Sequence, residues 1–112
     1  MQSTNSTPPL SEQTYFILLS LQAKPKHGYA ISKDVHSLSS GRVQLSVSTL
    51  YTTLKRLLED GWIQLAGESG TASRPRKTYQ LTGLGGEVLQ EEVRRLESLI
   101  SAARARKAAG AR

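Results

Sequence analysis

Apolar positions recur along this chain in helical stripes separated by short alternating runs. The first block, Tyr15-Phe16-Ile17-Leu18-Leu19-Ser20-Leu21, is apolar nearly all round and predicts a helix buried on more than one side. Ser11 can cap it, Glu12 suits its first turn, and Pro25 lies beyond its end. A second stripe, Ile31, Val35 and Leu38, predicts a helix that starts near Gly28 and stops at Ser39-Ser40-Gly41. Val43 and Leu45 alternate about Gln44, which suggests a short strand.

The third stripe is the most informative. With Ser46 as N-cap, Leu50, Leu54, Leu57 and Leu58 fall on one face of a helix. Ser48, Thr52, Lys55, Arg56 and Glu59 point the other way, Thr49 and Tyr51 flank the two faces, and Gly61 is placed as the stop. A strand at Trp62-Ile63-Gln64-Leu65-Ala66, a turn-rich loop from Gly67 to Pro75 and a strand from Lys77 to Leu81 make a hairpin with a long tip. Thr82 can cap a last helix, and glycines 83, 85 and 86 weaken its first turn. Leu89, Val93, Leu96, Ile100 and Ala103 then follow at 4-3-4-3 spacing, a heptad-like seam. The order helix, helix, short strand, helix, strand, wing, strand, long helix describes an α+β, mainly α chain: a winged helix-turn-helix with an added C-terminal helix that serves dimerisation. The expected divisions are a disordered arm (1–10), the winged helix-turn-helix (11–82), the C-terminal helix (83–108) and a frayed tail (109–112).

Composition narrows the chemistry. The chain of 112 residues carries 15 basic and 9 acidic residues, a formal net charge of +6. The excess lies in the folded part, since residues 24–82 hold nine Lys/Arg against four acids. A basic folded domain favours a polyanion, and nucleic acid is the usual one. There is no cysteine, which excludes disulfides, thiolate catalysis and Cys-ligated zinc. Met1–Leu10 has neither the basic segment nor the apolar core of a signal peptide, and the longest apolar run, Tyr15–Leu19, is too short to span a bilayer. The expectation is a cytoplasmic protein without a membrane partner. His27 and His36 have no helical i, i+4 pairing, and His27 reads as a turn or packing residue, so neither a metal nor a cofactor is expected. Gly83-Leu84-Gly85-Gly86 lacks the spacing and the lysine of a phosphate loop. With no convergent acid–base cluster, an enzyme is not expected.

Four motifs in register resemble the PadR family of bacterial transcriptional regulators. They are His27-Gly28-Tyr29 at the second helix, and Leu45-Ser46-x-x-Thr49-Leu50-Tyr51-x-x-Leu54-Lys55-Arg56-Leu57 at the third. Gly61-x-Ile63 enters the hairpin, and Arg74-Pro75-Arg76-Lys77-x-Tyr79-x-Leu81-Thr82-x-x-Gly85 closes it. The resemblance covers about residues 14–100. A single C-terminal helix is similar to the short subfamily, whose members dimerise through it. Val47 and Thr52 stand where members often have proline or glycine. Some short members bind flat aromatic drugs between two tryptophans at the dimer centre, whereas this C-terminal helix has no aromatic residue.

The expected mechanism places the third helix in the major groove, with Ser48, Thr49, Thr52 and Lys55 facing base edges and phosphates. Tyr51 reads either as a phosphate contact or as a half-buried core tyrosine, and Arg56 as a phosphate contact or a solvated cation. Arg74, Arg76 and Lys77 form the wing contact, with Pro75 limiting the loop's freedom. Tyr29 either bonds a phosphate or packs. The expected partner DNA is a double-stranded pseudo-palindromic operator read by a homodimer. Phe16, Leu19, Leu89, Val93, Leu96, Ile100 and Ala103 are the expected interface. Phe16, Leu19, Leu89, Val93 and Leu96 would line a small-molecule effector pocket between protomers, and the regulator would be a repressor released by that effector. The competing reading is a winged-helix module that binds protein or non-specific DNA with no effector.

Overall fold

The computed structural model describes residues 9–71 and 73–110, apart from the side chains of residues 69, 70, 74 and 75. The chain runs α1 (Glu12–Ala23), β1 (Lys26–His27), α2 (Gly28–Leu38), α3 (Val47–Glu59), β2 (Ile63–Thr71), β3 (Arg74–Leu81) and α4 (Gly83–Gly110). The three strands form one antiparallel sheet in the order β1-β3-β2. Each of the first three helices starts at a side chain that satisfies an orphan backbone donor. Ser11 Oγ accepts from Thr14 N–H at 3.1 Å, His27 Nδ1 from Ala30 N–H at 3.4 Å, and Ser46 Oγ from Thr49 N–H at 3.1 Å.

The apolar stripes meet in one core. Ile17, Leu18 and Leu21 of α1, Ile31 and Val35 of α2, and Leu50, Leu54 and Leu57 of α3 are buried there with Ile63, Tyr79, Val88 and Leu89. Helix α1 contacts α2, α4 and β3, as expected of a helix apolar on several sides.

Three expectations fail. Val43–Leu45 forms no strand. Its entry is turned by Ser40 (φ 56°) and Gly41 (φ 79°), Val43 N–H donates to Ser39 Oγ at 2.9 Å, and Val43 and Leu45 pack on the core. The third strand is instead β1, two residues long and directly before α2, in register Lys26↔Tyr79 and His27↔Thr78. The long tip is also absent: pairing continues from Glu68↔Lys77 to Thr71↔Arg74, so the wing is a two-stranded ribbon. A bulge between Leu65 and Gly67 bends it, with Gly67 at φ 151°, a conformation that favours glycine. Finally, the N-terminal segment is anchored at its end, where Leu10 N–H donates to Glu92 Oε2 at 3.1 Å. Residues 1–8 of the expected arm lie outside the described residues, as do 111–112 of the expected tail, while 109–110 are helical.

One node joins three elements. Thr82 Oγ1 donates to Gly61 C=O at 2.7 Å and accepts from Gly85 N–H at 3.0 Å, and Thr82 N–H donates to Trp62 C=O at 3.1 Å. The end of α3, the start of β2 and the cap of α4 are thereby fixed together. Gly85 is no weakness in that first turn. A Cβ there would collide with the Trp62 carbonyl oxygen, so glycine permits the helix to sit this close. Beyond Leu96, α4 leaves the body of the fold and every residue from 97 to 110 is exposed.

Candidate nucleic-acid interface

Helix α3 presents Ser48, Thr52 and Lys55 to solvent on one face, opposite its buried leucines. Lys55 makes no ion pair among the described residues. Thr49 is half-buried at the shoulder, and its hydroxyl accepts from the Ser46 hydroxyl at 2.9 Å, so capping already engages it. Arg56 is exposed, but its guanidinium turns to α1 and donates to the Thr14 hydroxyl at 3.0 Å. That contact draws it off the Ser48–Thr52–Lys55 line and makes it a tie between two helices. Val47, at the first helical position, is 74% exposed. Polar patterning does not single out an apolar residue here, yet a methyl pair at this position can meet a thymine methyl.

Tyr51 lies on the other shoulder of α3. It is 47% exposed, and its hydroxyl end rests against Gly28. A Cβ at Gly28 would collide with that hydroxyl. The glycine of His27-Gly28-Tyr29 therefore makes room for α3. Tyr29 is largely exposed, with Lys33 Nζ 5.5 Å from its ring centroid, so it does not pack in the core.

The wing approaches the same place. The Arg76 side chain is exposed and its Nη1 lies 3.2 Å from His27 Nε2; Lys77 beside it is exposed as well. The side chain of Arg74 lies outside the described residues. His27 thus does more than turn the chain: one ring nitrogen faces the Ala30 N–H and the other the wing arginine, and since a neutral imidazole has a single acceptor nitrogen it accepts from one of these donors at a time. Tyr29, Tyr51, Arg76 and Lys77 line a cavity of about 380 Å³ with His27, Gly28 and Tyr79, and no carboxylate is among them. Tyr79 belongs to the Arg74–Gly85 motif and to a strand, but nothing in the sequence shows which face of a strand meets a cleft. It is 5% exposed, and burial, then the neighbouring Tyr51 phenol, push its pKa above the ordinary tyrosine value. It stays neutral and able to donate a hydrogen bond at neutral pH.

The residues expected at a dimer interface divide. Leu89 is 1% exposed and lies inside this protomer's own core, so it has no surface to offer a partner or an effector pocket. Phe16 and Leu19 are half-buried against the same core. Val93 and Leu96 are half-buried, and Ile100 and Ala103 are exposed. Leu99, outside the 4-3-4-3 seam, is 54% exposed beside Ile100. No helix among the described residues is long and apolar enough to cross a membrane.

Residues 17–91 match the family model described as the transcriptional regulator PadR-like family. An uncharacterized protein of Lysinibacillus sphaericus is 30% identical over 78 residues, which cover 70% of this chain and 72% of that one. Among solved structures, a PadR-like transcription factor from Bacteroides fragilis is 28% identical with a TM-score of 0.70, covering 82% of this chain and 86% of that one. A PadR family transcription regulator from Clostridium difficile has the same TM-score at 23% identity, with coverage of 85% and 97%. Bacillus subtilis PadR, solved in complex with operator DNA, has a TM-score of 0.66 at 24% identity, over 77% of this chain and 48% of that one.

Proposed function

This chain belongs to the PadR-like family of transcriptional regulators, which are not enzymes, and from its surface we propose a dimeric, sequence-specific reader of duplex DNA that acts as a repressor in the cytoplasm. The observation that carries the reading is the meeting of α2, α3 and the wing at a cavity whose lining holds no carboxylate, beside the exposed line of α3. There α3 offers Ser48, Thr52 and Lys55, the start of α2 offers Tyr29, and the wing offers Arg76 and Lys77. Short hydroxyls and a flexible ammonium suit base edges and phosphates in a major groove, and the wing cations suit the adjoining backbone. Thr49, Tyr51 and the wing's Arg74 complete the proposed contact set. Arg56 serves chiefly to tie α3 to α1. The solved operator complex of Bacillus subtilis PadR supports the choice of DNA as partner.

Pairing of two chains through the bare end of α4 gives two reading heads and a pseudo-palindromic operator. An effector that releases the repressor would sit between protomers near Phe16, Leu19, Val93 and Leu96, without Leu89. The test is fluorescence anisotropy with the chain's own upstream DNA against random duplex of equal length, across a salt series. Preference for the upstream DNA is expected. Lys55→Gln should lower the slope of log K against log salt by about one, since each neutralised phosphate releases about one counterion. Equal affinity for both duplexes would instead favour an interaction or non-specific module.

A further inference from the structure

Val47 is the most exposed large apolar side chain among the described residues, at 74% against 66% for Tyr29. It stands at the first position of α3, where it belongs neither to the core nor to the side chains packed on it. A β-branched residue lowers helix propensity, and an isopropyl group left in water contributes no burial. Its surroundings are what make it informative. The two hydroxyls at the cap are engaged with each other: Ser46 Oγ accepts from Thr49 N–H at 3.1 Å and donates to Thr49 Oγ1 at 2.9 Å. Leu50 is buried. The first turn of α3 therefore holds out one hydroxyl, that of Ser48, and one isopropyl group. Tyr51 follows Val47 at i+4, on the same side of the helix, and is itself 47% exposed. The tip of the reading helix thus carries an apolar shoulder beside its polar line Ser48–Thr52–Lys55.

We propose that Val47 is a specificity-determining residue of α3, and that it reads the C5-methyl group of a thymine in the major groove. The inference rests on the DNA-binding reading above and deepens it by naming the base feature recognised. A helix-turn-helix brings the N-terminal residues of its recognition helix to the base edges. In the major-groove pattern of donors and acceptors, the thymine methyl is the apolar group. An isopropyl group has no donor or acceptor to match the rest of that pattern. Against a G·C pair it would strip water from polar atoms and return no bond. Val47 therefore favours thymine and disfavours G·C at its position. The adjacent Ser48 does not make that distinction, because a hydroxyl both donates and accepts. Thymine is favoured over a second copy of the chain as the occupant. Val47 adjoins the head of the polar line, whereas the bare apolar pair Leu99 and Ile100 lies on α4.

The experiment measures binding to the chain's own upstream duplex with its thymines exchanged for uracil, one at a time. Each exchange removes the C5-methyl and leaves base pairing intact. At one position in each half-site, wild type should bind about fourfold more weakly, the loss expected for one buried methyl. Val47→Ala should bind the unmodified duplex several-fold more weakly, with an unchanged salt slope because no cation is lost. It should also ignore the exchange at that position, and unfold at no lower denaturant concentration than wild type, since alanine is the better helix former. Val47→Ile should keep the discrimination. If no exchange weakens wild type, the proposal is overturned. It is overturned too if Val47→Ala keeps the full loss at every position, which would assign the effect to duplex shape or to another side chain. Exchanges without effect, together with loss of the dimer in Val47→Ala, would give the residue to a second copy of the chain. Equal affinity of wild type for upstream and random duplex would sink the sequence-specific reading itself, which is a separate outcome.

Discussion

Glu92 shows how one side chain can govern two ends of the chain. It is 4% exposed, it accepts from Leu10 N–H, and it is gripped by Arg95 through Nε at 2.7 Å and Nη2 at 2.8 Å. The Arg95 hydrogen bonds outweigh burial, and with the Leu10 amide they hold its pKa below the ordinary carboxylate value of 4.5. The unfolded chain therefore binds a proton more readily than the folded one as pH falls. The stabilisation is present above the unfolded value and is lost as pH drops through the lower folded value. Glu92→Gln should be less stable than wild type at pH 7, and the gap should narrow below about pH 4.5. Thermal unfolding across pH 3–7 at fixed protein concentration checks this; a gap that is constant with pH would show that the charge is not what stabilises.

The elements show where sequence pattern is strong and where it gives out. Gly85→Ala should cost about 1–3 kcal/mol, because its methyl meets a backbone carbonyl that cannot move without loosening the Thr82 node. Gly83→Ala, where a Cβ meets nothing, should be neutral or stabilising, and denaturant unfolding of the two variants separates packing from helix propensity. The four helices were legible because each carries spaced apolar positions, although Leu38 of the α2 stripe is 42% exposed and only Leu89 of the α4 seam is buried. The two-residue β1 was not, since Lys26-His27 carries no periodicity and exists only because β3 offers an edge. The wing's length was hidden for a related reason. Residues 67–77 are small or polar, so alternation is invisible where neither face is buried. At the candidate site, the polar line Ser48–Thr52–Lys55 followed from helix geometry. The turning of Arg56 to Thr14, the meeting of Tyr51 with Gly28 and the placing of Tyr79 in a cleft are contacts between distant segments, which no local spacing encodes.

At the scale of the molecule, α4 is the unbalanced part. Its far half covers nothing, and Leu99 and Ile100 stand exposed on a helix otherwise rich in Glu, Arg and Ala. A stretch of this kind is stabilised by a partner rather than by its own domain. Leu99→Glu with Ile100→Glu should convert a dimer to a monomer in sedimentation velocity while the winged domain keeps its circular dichroism. A doubly substituted chain that still sediments as a dimer would place the interface elsewhere.

The Thr82 node gives this arrangement a mechanical meaning. By bonding Gly61, Trp62 and Gly85 at once, it leaves no slack joint between α4 and the rest of the body. In the proposed dimer, α4 is then the handle of a pair of callipers and α3 is its jaw. A helix of 28 residues is about 42 Å long, so a change of about 10° in how two handles cross moves parts at that radius by about 7 Å. That is about twice the rise between neighbouring base pairs. Half-site spacing would thus be set by the crossing angle of two helices that never touch the DNA.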